Sequence, residues 1–210
     1  MAEKKYGMLI DLSLCIGCNA CAIICREEND TPLTKFNTWV ESWDVERPDG
    51  YIARANVPKQ CNHCDNPACV SVCPTGASYK AEDGTVQIDE SRCIGCKYCM
   101  AACPYGARYA IPDTGAIGKC TYCAHRTEYG MLPACVSTCV TKARIFGDLN
   151  DPESDISKRI AEAGSVDHLM ADTGMEPTLC YIGLADIEAM PRVSAVHKGG
   201  NVFKPYEGRN

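Results

Sequence analysis

Cys93-Ile94-Gly95-Cys96-Lys97-Tyr98-Cys99-Met100-Ala101-Ala102-Cys103-Pro104 spaces four thiols as C-x2-C-x2-C-x3-C-P, the run with which bacterial ferredoxins hold [4Fe–4S] clusters. Reading outward, Cys15, Cys18, Cys21 and Cys25 repeat that spacing. Cys61, Cys64, Cys69 and Cys73 stretch its second interval to four residues, and Cys120, Cys123, Cys135 and Cys139 stretch it to eleven. Sixteen of the seventeen cysteines therefore fall into tetrads ending in C-x3-C, and four complete tetrads imply four [4Fe–4S] clusters. Such a chain moves electrons.

Other uses of the thiols fit poorly. A tetrahedral zinc site has no role for a third cysteine at the same short interval. A disulfide framework belongs to small secreted domains, and thiols this crowded lack separated partners. Cys180 stands outside every tetrad and reads as a buried structural thiol. His63 and His125 could be ligands, but every tetrad is already complete, so hydrogen bonding or packing suits them better.

An internal repeat orders the chain. Ile10-Asp11-Leu12-Ser13-Leu14-Cys15-Ile16-Gly17-Cys18 returns 78 positions later as Ile88-Asp89-Glu90-Ser91-Arg92-Cys93-Ile94-Gly95-Cys96. Cys73-Pro74-Thr75-Gly76-Ala77-Ser78-Tyr79 is echoed by Cys103-Pro104-Tyr105-Gly106-Ala107-Arg108-Tyr109, as expected inside one two-cluster ferredoxin unit. The apolar runs Tyr6–Asp11 and Thr85–Asp89 predict strands, and Ala22-Ile23-Ile24 and Met100-Ala101-Ala102 predict helical turns. Gly17 and Gly95 sit where a side chain would obstruct the wrap of backbone around a cluster, while Pro74 and Pro104 redirect the chain.

In a two-cluster ferredoxin the fourth cysteine of a run ligates the other cluster. The second and third tetrads share an ending and should exchange, pairing Cys61, Cys64, Cys69 with Cys103 and Cys93, Cys96, Cys99 with Cys73. The outer tetrads are left to pair Cys15, Cys18, Cys21 with Cys139 and Cys120, Cys123, Cys135 with Cys25, which folds the two ends of the cluster region together. The expected class is α+β: two ferredoxin-like (bacterial 2[4Fe–4S]) units in one chain, with a polar insertion and an extended C-terminal tail. Residues 1–35 with 113–149 form the first unit, 36–52 the insertion and 53–112 the second unit. The insertion belongs to a polar stretch, 26–52, which carries Trp39 and Trp43 and reads either as a strand-rich hairpin packed on the domain or as a docking loop. The remainder, 150–210, reads as a helix capped by Ser154 or Asp155 and stopped at Gly164, a strand over Thr178–Ile182, and from Met190 a tail that is either frayed or, the favoured reading, wrapped on a partner.

The formal charge of -6 becomes about -14 if each loaded cluster adds about -2, which argues against nucleic acid as a partner. No stretch approaches the roughly 18 apolar residues of a membrane span. Met1-Ala-Glu-Lys-Lys-Tyr6 has neither an apolar h-region nor twin arginines, so no export signal is expected.

Taken together, the tetrads, Cys61-Asn62-His63-Cys64, Cys120-Thr121-Tyr122-Cys123-Ala124-His125-Arg126 and, more loosely, residues 146–154 resemble the four-cluster iron–sulfur subunit of molybdenum oxidoreductases of the dimethyl sulfoxide reductase family. The pattern is nearest to polysulfide and thiosulfate reductases. The resemblance implies an electron-transfer subunit, not catalytic alone, in an anaerobic respiratory reductase. Its partners would be a large catalytic subunit holding a molybdenum or tungsten bis-pterin cofactor and, in many relatives, a membrane quinol-oxidising subunit. The complex would be membrane-associated, exported with a twin-arginine partner or kept in the cytoplasm. Some relatives place tryptophan where Cys99 stands and carry a [3Fe–4S] centre, so Cys99 speaks for four [4Fe–4S]. A free-standing polyferredoxin is the alternative. Lys97, Arg92 and Arg126 adjoin ligands and are either solvated charges or tuning groups: at about 7 Å and an effective dielectric near 20, one charge is worth roughly 2 kcal/mol, about 100 mV for one electron.

Overall fold

The computed structural model describes residues 3–197, with side chains through residue 193. The chain opens on β1 (Tyr6–Asp11), passes through the first cysteine loop and enters α1 (Ala20–Glu28). Gly17 and its repeat mate Gly95 both take left-handed φ, 70° and 66°. A Cβ on Gly95 would stand 2.6 Å from the Gly115 carbonyl oxygen, and one on Gly17 would strike the Asn56 side chain, so both loops are closed by backbone that only glycine fits. The repeat extends to a shared turn. Asp11 Oδ1 accepts from the N–H of Ser13 (3.1 Å), and Asp89 Oδ1 accepts from that of Ser91 (3.0 Å).

Two nine-residue strands follow, β2 (Thr38–Glu46) and β3 (Ile52–Gln60), paired without interruption from Thr38↔Gln60 to Glu46↔Ile52. The hairpin reading of this stretch is the one observed, with Trp39 and Trp43 both buried. The boundary expected after residue 52 falls at the first residue of β3 and so separates the two strands of this ladder. β3 is as much part of the hairpin as β2.

The middle of the chain is built from short pieces. They are α2 (Ala68–Ser71), β4 (Ser78–Lys80), β5 (Val86–Ile88), α3 (Tyr98–Ala101), β6 (Arg108–Ala110) and β7 (Ile117–Lys119). β4 pairs with β5 and β6 with β7, three residues each. The expected unit boundary at 112/113 falls within the β6–β7 turn. The strand anticipated over Thr85–Asp89 is present as β5.

After the fourth tetrad, which carries α4 (Ala124–Thr127) and α5 (Ala134–Ser137), come β8 (Arg144–Asp148), α6 (Asp155–Ala163), β9 (Leu179–Ile182), α7 (Leu184–Ala189) and β10 (Arg192–His197). β1 is central in a sheet, antiparallel to β8 and parallel to β9, which buries Met8, Leu9 and Ile10 completely. Ser154 caps α6, its Oγ accepting from Ser157 N–H at 3.3 Å, and Gly164 ends the helix at φ 73°. The strand expected over Thr178–Ile182 is present as β9. β9 completes the β1 sheet, and β10 pairs with β2 although no apolar periodicity announced it. Partner-wrapping by 198–210 lies outside the described residues.

The main core joins Met8, Ile10, Trp39, Trp43, Val57 and Phe146 to Leu179, Tyr181 and Leu184. Most of it comes from the β1 sheet, the long hairpin and the C-terminal elements, and the rest chiefly from the cysteine-bearing segments. Among the described residues no helix is long and apolar enough to cross a membrane.

Candidate iron–sulfur centres

Two cavities bring tetrad cysteines together. Cys61, Cys64, Cys69 and Cys103 line one small cavity, and Cys73, Cys93, Cys96 and Cys99 line another. In the outer pair, Asn29 Nδ2 spans Cys25 Sγ at 3.5 Å and Cys123 Sγ at 3.8 Å. Cys25 lies in the field of Cys135 and Cys123, and after them of Cys21, and Cys15 lies in that of Cys21 and Cys139. The fold accommodates the expected exchange. β1 and β8 are antiparallel neighbours, with Ile10 opposite Arg144, so the loops after β1 and before β8 meet at one end of the sheet. Cys18 and Cys96, equivalent in the repeat, are exposed, as are Ile16 and Ile94 beside them.

Burial dominates the thiols. It pushes Cys64 up to about 12, aided by Cys61, Cys69 and Cys103, and Cys25 up to about 12, aided by Cys135 and Cys123. Two fourth cysteines behave otherwise. Burial raises Cys73, but hydrogen bonds from the Ser78 backbone N–H (3.4 Å) and from Thr75 outweigh it, so its pKa lies below the ordinary thiol value. Cys139 is lowered in the same way: burial is overcome by the Arg144 N–H and Thr141. These contacts come from the turn after each C-x3-C and favour thiolate, the form that binds metal.

Cys120 lies in the field of Cys25 and Cys135 and also of Cys61, so the Cys120 and Cys61 quartets adjoin. Between them His63 stacks on Tyr122, centroids 3.7 Å apart, which joins the two equivalent C-x2-C loops face to face. His63 is fully buried and accepts from Val86 N–H at 3.0 Å, and burial, followed by the charges of Lys119 and Arg108, keeps it neutral. His125 instead meets Glu28 at 2.9 Å on the surface. Both histidines serve as hydrogen-bonding or packing groups, and Cys180 is buried outside every quartet, its thiol pushed up to about 12 by burial.

The charged neighbours differ from those the sequence suggested. Lys97 and Arg92 are exposed, Arg92 Nη2 donating to the Thr75 carbonyl at 2.7 Å, and Arg126 is paired with Glu28 at 2.9 Å. The cations inside are Arg108, Lys119 and Arg144, at 2%, 4% and 3% exposure. Arg108 Nη2 reaches Cys69 Sγ at 2.8 Å and Ser78 Oγ at 2.9 Å, and the side chain lies in the field of Cys99. Arg144 donates to Gln60 Oε1 at 2.6 Å, to Thr38 Oγ1 at 2.8 Å and, longer, to Cys135 Sγ at 3.9 Å. Lys119 Nζ donates to the Cys120 carbonyl at 2.6 Å, and burial pushes its pKa down while Cys61 and Cys120 oppose that shift. One signal in the sequence could have found the arginines: each stands five residues after a fourth cysteine, Cys103 or Cys139, and directly after an alanine.

The surroundings fit anionic clusters. Arg108 Nη1, Asn62 Nδ2 and Gln60 Nε2 are buried donors with no protein acceptor, and Arg108 and Asn62 line the Cys61 cavity. Orphaned donors beside a space rimmed by thiols suit N–H···S bonding to an iron–sulfur core. The Cys61 and Cys93 sets each border a space large enough to separate their thiols.

Comparison with known proteins agrees with this chemistry. Two family descriptions match, both a 4Fe-4S dicluster domain, over residues 14–77 and 52–149. The B component of the tetrathionate reductase of Salmonella typhimurium is 45% identical over 191 residues, 90% of this chain and 76% of the relative. The B component of the polysulfide reductase of Wolinella succinogenes is 48% identical over 161 residues, 75% of this chain and 84% of the relative. A thiosulfate reductase electron transfer subunit of Salmonella typhi is 48% identical over 152 residues, 71% of this chain and 79% of the relative.

Proposed function

The chain belongs to the four-cluster iron–sulfur subunits of dimethyl sulfoxide reductase-type oxidoreductases, and from that premise we infer that it relays single electrons along a line of four crossed cysteine quartets. It is an electron-transfer subunit with two dicluster domains and four [4Fe–4S] clusters. When bound, the clusters supply one-electron redox chemistry with little rearrangement. The protein's own part is to hold them in sequence, exclude water and set the surrounding charge.

The observation that carries the reading is the order of contacts. The proposed line runs from the Cys15–Cys18–Cys21–Cys139 quartet to Cys25–Cys120–Cys123–Cys135, then Cys61–Cys64–Cys69–Cys103, then Cys73–Cys93–Cys96–Cys99. Its links are supported by Arg144 against Cys135 and in the field of Cys21 and Cys15, by the Cys120–Cys61 proximity, and by Arg108 against Cys69 and in the field of Cys99. Its two outer quartets are the ones with an exposed cysteine, Cys18 and Cys96. Electrons would enter at one exposed end and leave at the other. The proposed partners are a molybdenum or tungsten bis-pterin catalytic subunit at one end and a quinol-linked membrane subunit or other donor at the other, in a membrane-associated complex. The sulfur-compound reductases named above make a sulfur oxyanion or polysulfide the favoured class of terminal substrate for the whole complex.

Anaerobic purification of the tagged full chain from its host tests this. The expected result is about sixteen irons per chain, from four complete quartets, and a co-purifying subunit that contains molybdenum or tungsten. A chain that carries its iron but migrates alone, and exchanges electrons with soluble donors at full rate, would favour the free polyferredoxin.

A further inference from the structure

We propose that Arg144, Lys119 and Arg108 form a built-in series of cationic positioning residues, one at each of the three junctions between consecutive clusters, which hold the neighbouring clusters in their reducible range. The inference rests on the four-cluster line proposed above.

The placement is regular. Arg144 lies against Cys135 of one quartet and in the field of Cys21 and Cys15 of the quartet before it. Lys119 lies in the field of Cys120 on one side and of Cys61 and Cys69 on the other. Arg108 contacts Cys69, lies in the field of Cys99, and lines both cavities of the middle pair. Each cation therefore faces ligands of two quartets.

The energetics call for an anion that the polypeptide does not provide. Burying a charge is costly unless it is paired. Among the described residues the carboxylate ion pairs are made by other side chains, and none involves these three. Arg108 and Lys119 are moreover close enough to repel one another. Two buried like charges side by side, with thiol sulfur and neutral groups as partners, are tolerable when the space they border holds negative charge. Loaded clusters supply it, and the attraction grows as each cluster takes its electron. A cation midway between two clusters stabilises the reduced form of both and offsets the repulsion between two adjacent reduced clusters. By contrast the exposed Lys97 and Arg92 are screened by water and salt.

The test is potentiometric titration of the anaerobically loaded full chain, followed by magnetic resonance, with signals assigned from Cys18→Ser and Cys96→Ser references. Arg108→Gln is expected to lower the potentials of the Cys61 and Cys93 clusters by at least tenfold in the oxidised-to-reduced ratio, 59 mV for one electron, and to leave the Cys15 cluster unmoved. Arg144→Gln is expected to do the converse, shifting the Cys15 and Cys120 clusters. Lys119→Met is expected to shift the Cys120 and Cys61 clusters. Arg108→Lys and Arg144→Lys, which keep the charge, should stay within threefold of the wild type. Unmoved potentials in a fully loaded Gln variant, a uniform shift of all four clusters, or a Lys variant that falls as far as its Gln partner would each overturn the proposal. If a Gln variant fails to load, the Lys variant and Lys119→Met decide by the same criteria. Wild-type iron near eight per chain would instead contradict the four-cluster reading itself, so the two failures are distinguishable.

Discussion

The two ferredoxin-like units share a plan but are held together by different means. In the outer unit the cysteine loops hang from β1 and β8, two strands of a sheet completed by β9 and backed by α6, with the long β2–β3 hairpin packed alongside. In the middle unit each ladder is three residues long, and from residues 61–119 only Cys61 and Ala107 enter the main core. The outer unit also buries its thiols more thoroughly: Cys21, Cys25, Cys120, Cys123 and Cys135 are all buried, against Cys61, Cys64 and Cys99 in the middle one. The outer unit has an apolar reason to fold. The middle one is organised chiefly around its metal, so binding free energy there is folding free energy.

Removal of iron should separate the units most sharply. After anaerobic chelation, backbone amides of 78–88 and 108–119 are expected to lose hydrogen-exchange protection altogether, while β1, β8 and β9 keep a large part of theirs. Equal loss in both regions would erase the contrast.

A cavity made beneath the sheet should act on the outer unit alone. Ile156 of α6 is fully buried against Leu9 and Cys180, so Ile156→Ala should cost about 2–5 kcal/mol, read as a lower denaturant midpoint. The magnetic-resonance signals of the Cys61 and Cys93 clusters should be unchanged below that midpoint.

The smallest effect is a pH dependence that the repeat isolates. Burial raises the carboxyl of Asp11, but its Ser13 hydrogen bonds and the Arg159 ion pair at 2.7 Å together bring its pKa below the ordinary 3.8. A carboxylate depressed in the folded state contributes stability above its unfolded pKa and loses it as pH falls through the folded value. Asp11→Asn should therefore lower stability at pH 6, with the gap closing below about pH 4. Asp89, held by the matching Ser91 turn but outside any ion pair among the described residues, should show a smaller gap in the same experiment.

Much of this arrangement was legible in the residues. Cysteine spacing located all four loops, the repeated Asp-x-Ser-x-Cys located the equivalent turns, and Ser154 with Gly164 bracketed α6 within a residue. What escaped was non-local. That β9 lies parallel to β1 and β10 beside β2 follows from pairing partners more than 140 residues apart, on which local periodicity is silent. The buried cations escaped for a chemical reason. A lysine or arginine reads as surface when the protein offers no carboxylate to bury with it, and here the matching charge is metal–sulfide. The shared offset of Arg108 and Arg144 from a fourth cysteine carried the information, but only the fold places both between quartets.

The central claim is that last cysteines are exchanged, which is what turns four separate loops into one line. Magnetic-resonance redox titration of Cys25→Ser, beside Cys120→Ser and Cys18→Ser references, tests it most directly. The account predicts that Cys25→Ser alters the cluster altered by Cys120→Ser, by a shifted potential or the loss of one iron, and spares the one altered by Cys18→Ser. Damage confined to the Cys18→Ser cluster would contradict the exchange and with it the proposed order of the relay.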